Sequence, residues 1–163
     1  YTENTLKNVL TIPVSKAKFM LAKYLMLFLW IMILTLIAWG LLLVFGWIAG
    51  LAGFSWGLAV EQLGRYLIGG CLAFLLTSPA VFLALRFKNL VPPIIFSTAI
   101  TLVNVLMANV EERVLFPWSA IYVISSGKLV WQYPLICPYI AVFGMALVGL
   151  TASVLYFKRI DIL

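Results

Sequence analysis

Few residues of this chain have the type and spacing that chemistry requires. Glu111 and Glu112 are the only adjacent acids. Paired acids can activate water at a metal beside histidines, as an intramembrane protease would, but the chain contains no histidine, which also removes Ser-His-Asp triads and imidazole-ligated haem. The pair reads as the solvated start of a loop. Gly127-Lys128 is the only Gly-Lys pair, yet Leu129 follows it and no Gly stands five residues before Gly127. A phosphate-cradling loop needs that spacing to aim successive amides at the phosphates. Any ATP hydrolysis is therefore expected in a separate subunit, and the chain itself is expected to be no enzyme and to carry no cofactor. Cys71 and Cys137 both lie in apolar runs and read as free thiols. Ser97, Thr101, Asn104 and Ala108 fall at i, i+4, i+7 and i+11, one side of a helix. An unpaired amide is costly in hydrocarbon, so Asn104 should face protein or water. That face either packs through interhelical hydrogen bonds or lines a substrate path.

The elements that must carry these residues follow from composition. Of 163 residues, 65% are hydrophobic and 10% charged, with a mean hydropathy of +1.15. Soluble domains are about 45–50% apolar and about 25% charged. The charges cluster between long uncharged runs, which excludes a soluble enzyme, a nucleic-acid-binding domain and a disordered tail. The expected fold is an all-α polytopic membrane protein, a single transmembrane domain over 1–163.

A spanning helix needs about 20 apolar residues to cross about 30 Å of hydrocarbon. The uncharged run 24–60 is too long for one span and too short for two. Gly50, Gly53, Ser55 and Gly57 supply a helix-poor connector. Spans are predicted at 24–48, 66–85, 91–109 and 135–157. Ser15 is a candidate N-cap before the first. In the second, Gly69-Gly70 permits close helix approach and Pro79 a kink. Pro92-Pro93 suit the first turn of the third. In the fourth, Gly149 and Ser153 form a small-xxx-small pair. Segment 110–133 contains a 13-residue apolar stretch, Val114 to Ser126, interrupted by Pro117. Thirteen residues cannot span, so 110–133 is predicted to be a re-entrant or interfacial segment. Trp118, Tyr122, Trp131 and Tyr133 are placed at headgroup depth.

Orientation follows from basic residues. With residue 1 on the cytoplasmic side, that side holds eight: Lys7, Lys16, Lys18, Lys23, Arg86, Lys88, Lys158 and Arg159. The other side holds three, Arg65, Arg113 and Lys128. The positive-inside rule places both chain ends in the cytoplasm and the protein in the plasma membrane. Glu61 and Arg65 make an acid-first helical pair at the outer start of the second span. No predicted span carries a mid-membrane charge, which argues against a proton-coupled pump or a voltage sensor.

Residues 2–10 are polar with Leu6, Val9 and Leu10 on one side, a short amphipathic helix stopped by Pro13. Lys16, Lys18 and Lys23 then approach the membrane, where anionic lipid attracts them. The whole segment reads either as a lipid-binding juxtamembrane helix or as a cytoplasmic helix that takes force from a soluble motor. The chain starts at Tyr1 without a signal-peptide pattern, and is expected to be the C-terminal portion of a longer protein.

The run from Glu3 through Thr5-Leu6-Lys7 and Pro13-Val14-Ser15-Lys16, continuing to Phe19 and Ala22-Lys23, resembles the first cytoplasmic loop of ABC-2-type exporter permeases, in particular the bacitracin and lantibiotic resistance branch. The ending Tyr156-Phe157-Lys158-Arg159-Ile160-Asp161 resembles their aromatic-basic-Asp terminus. Asn4 stands where that family often has Gly, and Asn tolerates the same left-handed geometry. The resemblance implies six spans, of which the first two are absent here. It implies a coupling helix at 1–15, with Glu3, Thr5, Leu6, Lys7, Val9, Leu10 and Pro13 contacting an ABC ATPase subunit, and a re-entrant region where 110–133 falls. It also implies a permease dimer, and export of or resistance to a drug or peptide antibiotic. Ser97, Thr101 and Asn104 are then candidates for the substrate path. The competing reading is a non-transporting membrane assembly or immunity protein that docks a soluble partner. No nucleic-acid partner is expected, and membrane lipid is.

Overall fold

The computed structural model describes residues 16–50, 55–127 and 133–159. The predicted coupling segment at 1–15, with its N-cap Ser15, lies outside them. Among the described residues the chain is helical without strands. Helix α1 spans Lys16–Ile48 and α2 spans Trp56–Leu75; α3 is Ser78–Phe87, α4 is Val91–Leu106, α5 is Pro117–Ser126 and α6 is Cys137–Arg159. Two 3₁₀ turns, Met107–Asn109 and Glu111–Val114, join α4 to α5.

Four stretches are long and apolar enough to cross a bilayer: Met20–Ile48, Trp56–Phe87, Val91–Asn109 and Cys137–Tyr156. Helix α1 has 33 residues, about 50 Å at 1.5 Å per residue, so it exceeds a hydrocarbon core of about 30 Å unless tilted. It is apolar around its whole circumference, and none of its described residues is buried. Leu21, Met26, Trp30, Ile37 and Phe45 are all more than half exposed. In water that surface would aggregate; in lipid it is the solvated surface.

The helical stretch around the second predicted span begins ten residues earlier than position 66, at Trp56. Ser55, expected in the connector, instead N-caps α2, its hydroxyl accepting from Leu58 N at 3.2 Å, and Gly57 lies in the first turn. The connector retains Gly50, whose φ of +61° favours a residue without Cβ. The charges at 61 and 65 thus lie on a continuous helix, where Arg65 and Glu61 pair at 2.7 Å.

That helix breaks at Leu76-Thr77. Pro79 has no N–H to give Leu75 O and its ring crowds that carbonyl. The Ser78 hydroxyl takes over, 2.9 Å from Leu75 O. It also lies 3.1 Å from Ala146 O of α6, so its one proton ties the break to the last helix. Gly149 faces the same spot. A Cβ there would meet Ser78 Oγ at 2.5 Å and the Pro79 nitrogen at 2.6 Å, so only Gly lets α6 approach the break this closely. Ser153, one turn further, is fully buried and donates to Ser78 O at 3.4 Å. The predicted small-residue pair is thus a packing seam, and α3 against α6 is the most extensive helix contact in the fold.

Helix α5 has ten residues, about 15 Å, half a bilayer core. Pro117 opens it and Gly127, at φ +65°, closes it. It lies against α2 and α6. The core is the meeting of these helices: Leu72 and Leu76, Ala120 and Val142 are buried together.

Candidate functional site

The three polar residues predicted on one face of 91–109 do lie along α4 and its 3₁₀ extension, but their hydroxyls are already engaged. Ser97 Oγ donates to Pro93 O at 2.8 Å and Thr101 Oγ1 to Ser97 O at 2.9 Å. Both residues are exposed on the helix surface. Asn104 differs. Its Oδ1 accepts from the Ser119 hydroxyl of α5 at 2.5 Å. Ser119 is only 4% exposed, so this bond satisfies a buried donor and fastens the short helix to α4. Phe96 and Trp118 meet edge to face at 5.8 Å across the same boundary.

The opposite side of α5 borders a groove of about 770 Å³ between α1, α2 and α5. Helix α2 contributes Gln62, Arg65, Tyr66, Gly69, Gly70 and Ala73; α1 contributes Ile31, Leu34, Thr35 and Ala38. From α5 come Trp118, Ile121, Tyr122, Ser125 and Ser126. Polar groups gather towards the N-terminal part of α2 and aliphatic ones below. Arg65 is held in place by two contacts, Nη2 to Glu61 Oε1 at 2.7 Å and Nη1 to Ser126 O at 2.9 Å. Arg113, on the second 3₁₀ turn, lies over the Tyr122 ring at 5.5 Å and donates to Ala108 O at 3.1 Å. Helix α1 closes on α2 at two levels. The Trp39 indole donates to Ala59 O at 3.2 Å. Nearer the other end, a Cβ on Gly70 would meet Thr35 Oγ1 at 2.6 Å.

Sequence reasoning singled out Gly69-Gly70 as a site of close approach, and Gly70 is one. It missed the groove. A signal existed: Gln62, Tyr66, Gly69 and Ala73 recur at helical spacing on one face, as do Trp118, Ile121, Tyr122 and Ser125. Neither face announces that the other will stand opposite it.

A second polar cluster lies at the junction of α1, α3 and α6. Beside Ser78 and Ser153, the Tyr24 hydroxyl of α1 is buried close to Ser153 without a hydrogen bond of good geometry. The Tyr24 and Phe28 rings pack edge to face on Phe74 at 6.3 and 5.1 Å. At the far end of α3, the Arg86 guanidinium lies 5.7 Å from the Tyr156 ring.

Exposed apolar helices long enough to cross a bilayer, one of them broken, are the features of a multi-pass membrane protein. Residues 1–104 match the family described as ABC-2 family transporter protein, and the chain belongs to that family: it is a membrane permease of the ABC-transporter type. Its sequence is 46% identical over 162 residues to the bacitracin transport permease protein BCRB of Bacillus licheniformis, a match covering 99% of this chain and 78% of the relative. No solved structure matches the chain.

Proposed function

We propose that this chain is the membrane-spanning permease of an ABC exporter that confers resistance to a bacitracin-type peptide antibiotic, with ATP hydrolysed by a separate ATPase subunit. The observation that carries the reading is the 46% identity to a bacitracin transport permease over 99% of the chain. The absence of any phosphate-binding loop in the sequence fits an ATPase on another polypeptide. Residues 1–15 supply the coupling helix, with Glu3, Thr5, Leu6, Lys7, Val9, Leu10 and Pro13 facing that subunit. Two permeases and two ATPases make the working unit, with both ends of this chain in the cytoplasm. Segment 110–133, with α5 at its centre, is the external re-entrant region, and the face of Ser97, Thr101 and Asn104 borders the substrate path.

The test is resistance. Co-expression of the full-length permease with its ATPase in a bacitracin-sensitive bacterium should raise the inhibitory concentration of bacitracin. Inactivating the ATPase's nucleotide site should return it to the empty-vector value. Resistance that survives ATPase inactivation would reject ATP-driven export in favour of a non-transporting immunity role. No resistance to bacitracin, with both proteins in the membrane, would reject the substrate class.

A further inference from the structure

The groove between α1, α2 and α5 has two walls of different chemistry, and together they select an occupant. Besides Arg65, the polar side chains that line the groove include Gln62, Tyr66, Tyr122 and Ser125, the Ser125 hydroxyl donating to Tyr122 O at 3.4 Å. Among the described residues, Arg65 uses two of its five N–H groups, on Glu61 and Ser126. Those two bonds fix the plane of the guanidinium and leave part of its donor fork for a further acceptor. Glu61 does not line the groove. Arg presents a planar fork that matches a phosphate oxygen pair.

Towards Ala73 the lining is largely apolar, with Ile31 and Leu34 of α1, Ala73 of α2 and Ile121 of α5, and the Thr35 hydroxyl there donates to Ile31 O of its own helix at 2.8 Å. Leu34 is 47% exposed, and its neighbours Ile33 and Ile37 on the outer surface of α1 are 49% and 51% exposed. The apolar wall is therefore continuous with the lipid-facing surface of α1. An acyl chain enters such a groove without leaving hydrocarbon, whereas a free peptide would have to be desolvated along its backbone first. At about 770 Å³ the volume lies within the range of about 300–1,000 Å³ typical of ligand sites. The close approach of Gly70 to Thr35 and the Trp39–Ala59 hydrogen bond hold α1 against α2 at two levels along the groove.

We propose that this groove is a binding site for an anionic phospholipid of the leaflet on the Arg65 side, with the phosphate on Arg65 and an acyl chain along Leu34 and Ile31. The site is independent of ATP and of the exported compound, so its fate and that of the exporter reading are separable.

The experiment is native mass spectrometry of the purified full-length protein released from nanodiscs of phosphatidylcholine containing a minor share of phosphatidylglycerol. Retained phosphatidylglycerol should exceed retained phosphatidylcholine well beyond its share. Arg65→Gln should lower that retention about tenfold, the loss of one charge-assisted contact. Ile31→Trp, which fills the apolar wall at the end away from the charge, should lower it too, and this second variant decides the matter where Arg65→Gln fails to fold. Arg86→Gln, at the far end of α3, should leave retention unchanged. Equal loss in Arg86→Gln would show diffuse attraction to basic surface and overturn the site. So would retention of both lipids in proportion to their share. If Ile31→Trp alters the monomer–dimer ratio while lipid retention stays the same, the groove is an interface between copies and the proposal falls. It falls equally if bacitracin is retained in the Arg65-dependent manner and phospholipid is not. Lipid binding with no resistance in cells would leave the site standing and remove only the exporter reading.

Discussion

The hydroxyl of Ser119 donates to Oδ1 of Asn104 at 2.5 Å, bridging the short helix α5 to α4. Asn104 is exposed at the helix surface while Ser119 is 4% exposed, so one carboxamide both satisfies a buried hydroxyl and presents its remaining NH₂ outward. Fastening α5 to α4 is thus the role that this bond performs, and lining a path is the second role proposed for Asn104.

Those roles separate in a double-mutant cycle. Asn104→Ala, Ser119→Ala and the double variant should show a coupling of about 0.6 kcal/mol, the average for interhelical hydrogen bonds in membranes. Denaturation of the purified permease in mixed micelles measures it. If Asn104 also borders the path, Asn104→Ala should lower bacitracin resistance more than Ser119→Ala at equal protein level. Equal resistance in the two variants would confine Asn104 to packing.

The seam of α3 and α6 should be intolerant of one methyl group. Gly149→Ala places a carbon against Ser78 Oγ at 2.5 Å and the Pro79 nitrogen at 2.6 Å, and overpacking of this kind costs about 1–3 kcal/mol. Adding Ser78→Ala should not restore stability, because the backbone nitrogen of Pro79 remains. Thermal unfolding of both variants in detergent checks the order.

Gly70→Ala should behave differently. Its obstructions are side-chain atoms, Thr35 Oγ1 at 2.6 Å and Met32 Cε at 3.0 Å. Thr35→Ala removes the nearer one, so Gly70→Ala/Thr35→Ala should recover most of the stability lost in Gly70→Ala alone. No recovery would mean that α1 and α2 are held at that level by something other than this contact.

Topology is open to accessibility labelling. In a background with Cys71 and Cys137 replaced by Ala, single cysteines at Lys7 and Lys88 should react with an impermeant reagent only in inverted vesicles. One at Lys128 should react only in intact cells. Labelling of Lys128→Cys solely from the cytoplasmic side would reverse the orientation drawn from the distribution of basic residues.

The coupling role proposed for the apolar side of residues 2–10 is open to mutation. Leu6→Asp puts a charge into a contact where each buried CH₂ contributes about 0.8 kcal/mol, and should abolish co-purification of the ATPase and resistance together. Lys18→Ala should change much less, since Lys16 and Lys23 remain at the membrane surface. The opposite order of severity would assign the segment to lipid.

The membrane class, the helical fold and the four apolar stretches were legible in the sequence because each depends on local quantities. Residues such as Leu25, Trp30 and Phe45 are apolar whatever their neighbours do, and about 20 such residues make a span by length alone. Pro79 marked the break in the second stretch, since a missing N–H is a property of one residue. Gly70 and Gly149 were visible as small residues, but the Thr35 and Pro79 that oppose them were not, because contact between helices depends on how the helices are rotated and crossed. The start of α2 at Trp56 was missed because Gly57 and the Glu61–Arg65 pair look like connector and rim, whereas the Ser55 cap and the wall formed by α1 and α5 extend the helix past them. The groove is the clearest case of what tertiary structure alone decides. Arg65, Tyr122 and Leu34 lie on three helices far apart in the chain, each face unremarkable by itself, and only the angle at which α1, α2 and α5 pack leaves the space between them.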